Sequence, residues 1–255
     1  MDGLQVPNRS DVARRRTLVR VLAVAGITLA CLQSLYVAGI AVAALHLRGN
    51  NPADFSLAMI RRRQTGQPGQ PLRPVTLDQI PVRLLHTLIL IEDPRFADHP
   101  GFDVGSIRRA IELNSRHARI VYGGSTITQQ LARTVFLFPR QLYIRKVLEV
   151  QAAVILDAIL PKERVLELYV NYAEWGPGVH GIAAAAHHHF RTTPAELDDA
   201  DLAALIAIMP SPLRYCVQTF RESPMLVARH RLALELLDGV DKPQNRIRID
   251  IRRTL

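Results

Sequence analysis

The chain has 255 residues, a formal net charge of +9 and an apolar fraction of 48%. That is length for a membrane anchor plus one sizeable domain, and apolar content ample for a core; no tandem repeat or long low-complexity tract is present. Cys31 and Cys216 stand far apart in unlike segments, which excludes an internal disulfide framework. The basic excess is almost all arginine, and it points either to nucleic acid or to anionic head groups and phosphorylated substrates.

The N-terminus decides between these. Residues 21–45, "VLAVAGITLACLQSLYVAGIAVAAL", carry no charge and are interrupted only by Thr28, Gln33, Ser34 and small residues. About 20 apolar residues span a bilayer, so this stretch predicts a transmembrane helix. It is too long for a cleaved signal peptide and lacks a small-residue cleavage site. Arg9, Arg14, Arg15, Arg16 and Arg20 precede it closely, whereas Arg48, Arg61, Arg62 and Arg63 follow mostly at a distance. The closer basic cluster places residues 1–20 in the cytoplasm and the C-terminal domain outside. A soluble nucleic-acid binder is excluded by the span.

Residues 46–75 read as a membrane-proximal connector, extended from about residue 49 and rich in Pro, Gly, Gln and Arg. Residues 76–255 then form one domain with helical patterning. "PVRLLHTLILIED" (81–93) opens on a proline suited to a first turn and stops before Pro94. "DVGSIRRAIELNSR" (103–116) has apolar residues at helical spacing. In "GGSTITQQL" (123–131), Gly123 and Gly124 end one segment, and Thr126 with Gln129 fits a capping box opening the next helix. The N–H groups of that helix start suit a phosphate or a sugar hydroxyl; a well-capped helix and nothing more is the other reading. "YIRKVLEVQAAVILDAIL" (143–160) is apolar around most of its circumference and predicts a buried central helix. "PKERVLELYVNYAEW" (161–175), "GIAAAAHHHF" (181–190), "LDDADLAALIAIM" (197–209) and "MLVARHRLALELL" (225–237) complete the set. Runs of alternating strand pattern are absent, so the domain is mainly α.

Two groups of residues carry the chemistry. Glu92 ends an apolar helix, where desolvation and the negative end of the dipole both favour its protonated form. That suits a base accepting a proton near neutrality, provided cations nearby keep it ionised at rest; a solvent-facing helix end is the plain alternative. Arg145, Lys146 and Glu149 share a helix face at i,i+3 and i,i+4. As a surface ion pair they are worth under about 1 kcal/mol. Their apolar flanks instead make them the polar stripe of a buried helix, which normally lines a cleft. His187, His188 and His189 point about 100° apart and cannot converge on one metal ion. His99, near Asp93 and Asp98, fixes a loop by hydrogen bonds, and Cys216 reads as a buried apolar side chain.

Taken in order, "EDPRFADHPGFD" (92–103), "GGSTITQQLART" (123–134), "RKVLE" (145–149) and "KERVLELYVN" (162–171) resemble the motifs of the peptidoglycan glycosyltransferases. This is glycosyltransferase family 51, the transglycosylase module of penicillin-binding proteins. "AEWGPGVHGIAAAAHHHF" (173–190) and "MPSPLRY" (209–215) are similar to the monofunctional members, and the stretch after residue 220 is too short for a transpeptidase. The resemblance covers roughly residues 75–220 and implies a lysozyme-like helical domain with a small membrane-facing lobe.

The resemblance further implies lipid II as substrate and a single-pass protein of the bacterial inner membrane. Partners would be lipid II, the growing glycan strand, membrane lipids and other cell-wall synthesis proteins, with no nucleic acid. Glu92 would be the general base on the acceptor hydroxyl, and Glu149 the second catalytic carboxylate, assisting departure of undecaprenyl pyrophosphate. Phe96, Gly124, Ser125, Thr126, Gln129 and Gln130 would line the substrate, and Arg133, Arg140, Arg145 and Lys146 would supply charge to the leaving group. No obligatory cofactor is implied, with room for a divalent metal, Mg or Mn, on the pyrophosphate. Two departures stand out. Arg133-Thr134 replaces the family's usual Lys-Asn, exchanging a compact ammonium for a planar fork. Asp157 stands where a glutamate is usual and reads as structural. The rival readings are a catalytically degenerate membrane scaffold and a lysozyme-like hydrolase working with paired carboxylates.

Overall fold

The structure is a computed structural model that describes residues 9–66, 69–117, 123–138 and 143–239. In chain order the helices are α1 (Arg9–Leu47), α2 (Ser56–Thr65), α3 (Val82–Glu92), α4 (Val104–His117) and α5 (Ile127–Phe136). They are followed by α6 (Tyr143–Ile159), α7 (Lys162–Tyr172), α8 (Ile182–Phe190), α9 (Asp199–Ile208) and α10 (Pro224–Asp238). A short antiparallel hairpin, β1 (Glu174–Gly176) and β2 (Val179–His180), interrupts them after α7. The mainly helical fold expected from the sequence is what the chain adopts.

Within α1, Arg14–Leu47 is long and apolar enough to cross a membrane. At 1.5 Å per residue the 39-residue helix is about 58 Å long, nearly twice a bilayer's hydrocarbon core. Its far end serves the domain instead. Ile40, Ala44 and Leu47, spaced on one face, are buried in the core, and the Tyr36 hydroxyl donates to the Leu148 carbonyl on α6 at 2.8 Å.

Two expectations are corrected. The connector is not extended throughout, because α2 folds within it. Phe55, just before α2, is buried and meets the rings of Tyr172 and His180 edge-on at 4.9 and 5.0 Å. Pro and Gly signals in the sequence masked a segment anchored by one aromatic side chain. Helix α6 is also not the buried centre. Its inner face packs on α5 and α1, while Tyr143, Ile144, Val147 and Val154 are exposed. The centre is α9, in which every residue from Leu202 to Ile208 is buried, with α10 packed along it.

Candidate active site

The site begins with how α5 starts. Thr126 is its N-cap: its hydroxyl accepts the Gln129 amide at 3.1 Å, and the Gln129 side chain accepts the Thr126 amide at 3.0 Å. The Thr126 hydroxyl donates in turn to the Gly101 carbonyl at 2.7 Å. The first helical amide, Ile127, donates to Asp93 at 3.0 Å, and His99 bonds the same carboxylate at 2.9 Å. An internal carboxylate therefore occupies the helix start that the sequence suggested for a phosphate or sugar. Thr126 and Gln129 are buried and committed to the cap. Gly124 packs closely on α4, since a Cβ there would lie 2.9 Å from the Ile107 backbone.

Among the described residues of this loop, Ser125 is the one bonded to the polar cluster. Lys146 donates to its hydroxyl at 2.9 Å and to Glu149 at 2.5 Å, while Arg145 holds the other Glu149 oxygen at 2.5 Å. Glu149 is 0% exposed. The plain surface-pair reading of "RKVLE" is thereby ruled out, since a fully buried carboxylate must be paired to offset its desolvation.

Glu92 closes α3 and is bound on both oxygens. Gln130 of α5 donates to one at 2.8 Å, and Arg229 of α10 pairs with the other. The Gln130 oxygen accepts the Tyr169 hydroxyl at 3.2 Å. Burial, with Glu92 nearby, pushes the Tyr169 phenol well up, so it is a standing donor. Arg229 is the residue that sequence reasoning missed. It lies 137 positions from Glu92, in a helix whose spacing announced only packing.

Between these groups lies a cavity of about 260 Å³. Gln130, Arg133 and Thr134 of α5, Arg145 of α6 and Tyr169 of α7 line it, opposite Arg61 of α2 and Glu174 of β1. Arg61 and Glu174 form a two-pronged pair at 2.9 Å. Glu92 is not among the lining residues of this cavity; Gln130, which bonds it, is. Phe96, expected against the substrate, is instead fully buried, with the Lys162 ammonium 4.8 Å from its ring centre. Arg140 lies outside the described residues.

Other expectations fall into place. Asp157 pairs with Lys162 at 2.6 Å and is structural. His188 turns to Gln70 and His189 to the Trp175 carbonyl, so the histidine run is divided between partners. Cys216 is corrected: it is half-buried, and its thiol meets the Thr219 hydroxyl at 3.4 Å, a bond that lowers its ionisation range.

The family profile described as Transglycosylase matches residues 61–236. A "Biosynthetic peptidoglycan transglycosylase" of Aromatoleum aromaticum is 41% identical over 169 residues, covering 65% of this chain and 74% of the relative. Proteins of the same name from Chromobacterium violaceum and Alcanivorax borkumensis are 37% and 38% identical, covering 78% and 79% of this chain and 88% and 79% of the relatives. The chain belongs to the transglycosylase family.

Proposed function

We propose that the protein is a membrane-anchored peptidoglycan glycosyltransferase that polymerises lipid II into glycan strands for the bacterial cell wall. The observation that carries this reading is the buried Glu149 gripped by Arg145 and Lys146, with Arg145 also lining a cavity beside Arg61 and Arg133. A hydrolase acting on neutral glycan has no leaving pyrophosphate that would need such cations.

In this mechanism the Glu92 carboxylate takes the proton of the acceptor 4-hydroxyl as its oxygen bonds to the donor's anomeric carbon. The bond from that carbon to the pyrophosphate breaks, its electrons leave with undecaprenyl pyrophosphate, and configuration inverts. Lys146, Arg145 and Arg133 neutralise the departing charge, and Glu149 keeps Arg145 and Lys146 ordered. Ser125 steadies the Lys146 ammonium. Both glutamates are engaged by cations or amides, so they form no free carboxylate pair for a resident metal among the described residues. A divalent ion would travel with the pyrophosphate as part of the substrate.

The exposed apolar side chains of α6, together with Val104 and Ile111 of α4, suit lipid tails beside the anchor. We place the N-terminus in the cytoplasm and the catalytic domain outside the inner membrane. A reporter fused after Leu255 is then active only as an exported protein, and cytoplasmic activity overturns that placement. Purified full-length chain incubated with lipid II, with and without a chelator, should yield glycan polymer and free undecaprenyl pyrophosphate. Folded protein that binds lipid II without product would instead support the degenerate scaffold.

A further inference from the structure

We infer that Arg229 is a positioning residue for Glu92, acting through the carboxylate rather than on the substrate; this rests on the reading of Glu92 as general base. The guanidinium is held from two directions. Its Nη2 pairs with Glu92 Oε1, and its Nε donates to the Ile206 carbonyl of the buried helix α9 at 2.9 Å. A planar fork fixed to backbone on one side presents its other donors in one orientation.

Glu92 depends on that orientation. It occupies the last turn of α3, where the helix carbonyls disfavour negative charge, and Arg229 is the cation paired with it among the described residues. Asp93, next in sequence, is taken up by His99 and the Ile127 amide, and the remaining Glu92 oxygen meets the neutral Gln130 amide. Tyr169 fixes which end of that amide faces Glu92. Arg229 and Gln130 thus hold the two carboxylate oxygens from opposite helices. Gln130 and Tyr169 line the cavity and Arg229 does not, so the arginine meets the site through the carboxylate it pairs with.

The test is a double-mutant cycle on the full-length protein with lipid II. Arg229→Gln should lower kcat by about 10²-fold, the scale of a misplaced reacting group, with KM for lipid II unchanged within about threefold. Arg229→Lys, which restores a cation, should recover most of that loss. In a Glu92→Gln background, Arg229→Gln should have no further effect, because a residue acting only through Glu92 has nothing left to position. Additive losses, or a raised KM with kcat intact, overturn the proposal by showing an independent or substrate-binding role. Should Arg229→Gln melt too low to assay, the cycle is run with Arg229→Met, which keeps the apolar length of the side chain and removes the cation, and additivity there overturns the proposal equally. A fully active Glu92→Gln protein refutes the base reading itself, a result distinguishable from every outcome at Arg229.

Discussion

Gln130 hands its side-chain amide to Glu92 across 2.8 Å, joining the second turn of α5 to the last residue of α3. The two helices are thereby held at one angle by a bond that also aims the proposed base. Glu92→Gln preserves the shape of this contact and removes the proton acceptor. Loss of a general base costs about 10²–10⁴ in rate, so polymerisation should drop on that scale in a folded protein that melts somewhat lower, because Arg229 loses its charged partner. Turnover within a few-fold of the parent would eliminate Glu92 from the role.

Tyr169→Phe tests the next link. The phenol donates to Gln130, and without it the amide is free to turn its oxygen toward the Glu92 carboxylate. One hydrogen bond is worth roughly 0.5–1.5 kcal/mol, so turnover should fall by about two- to tenfold, with stability lost on the same scale. An unaffected rate would show that Gln130 needs no second anchor.

The parts of this site that were legible in the sequence are those with local causes. Capping by Thr126 and Gln129 follows from three-residue spacing, and the Arg145–Lys146–Glu149 stripe follows from helical geometry. What spacing could not give is which long-range partner takes each polar group. Asp93 fills the α5 N-terminus from 34 positions away, and Arg229 reaches Glu92 from the last helix. Likewise, an apolar sequence such as α6 cannot say whether its outer face meets protein or lipid. Phe55 anchors α2 inside a segment whose Pro and Gly content hid the helix.

Asp93 should matter for stability more than for chemistry. Asp93→Ala leaves the Ile127 amide and the His99 ring without their acceptor inside the protein. Loss of a cap costs about 1 kcal/mol and an unpaired buried donor about 1–3 kcal/mol more. Chemical denaturation should therefore show a loss of about 2–4 kcal/mol, with Asp93→Asn recovering part of it. Equal stability of Asp93→Ala and the parent would contradict the capping assignment.

Acid should destabilise the hairpin end of the domain. Burial lowers the titration of His180 below the ordinary imidazole value of 6.5, with Glu174 opposing the shift. A histidine kept neutral in the fold binds fewer protons than in the unfolded chain, so its contribution is fully present above that value and declines below it. His189 is shifted the same way by burial. The melting temperature should fall as pH is lowered from 7 to 5, and His180→Phe should flatten part of that slope. An unchanged slope would remove His180 from the acid response.

The last prediction separates a pyrophosphate clamp from a structural ion pair. Lys146 is the more exposed of the two cations on Glu149, its side chain 40% accessible against 11% for Arg145. Lys146→Ala leaves the buried carboxylate paired with Arg145 and frees the Ser125 hydroxyl, so the protein should still fold. A donor aimed at developing charge in a water-poor cleft is worth about 3–4 kcal/mol, or 10²–10³ in rate. Lys146→Ala should lose polymerisation on that scale while melting only slightly lower than the parent. Arg145→Ala strips the more buried partner, so it should lose both stability and activity, because breaking a buried pair costs about 3–5 kcal/mol. Arg133→Lys keeps a cation at the cavity wall and restores the residue usual in the resembling family, so it should be tolerated. If Lys146→Ala polymerises lipid II at the parental rate, the cations serve only to keep Glu149 buried, and the leaving group must be neutralised elsewhere.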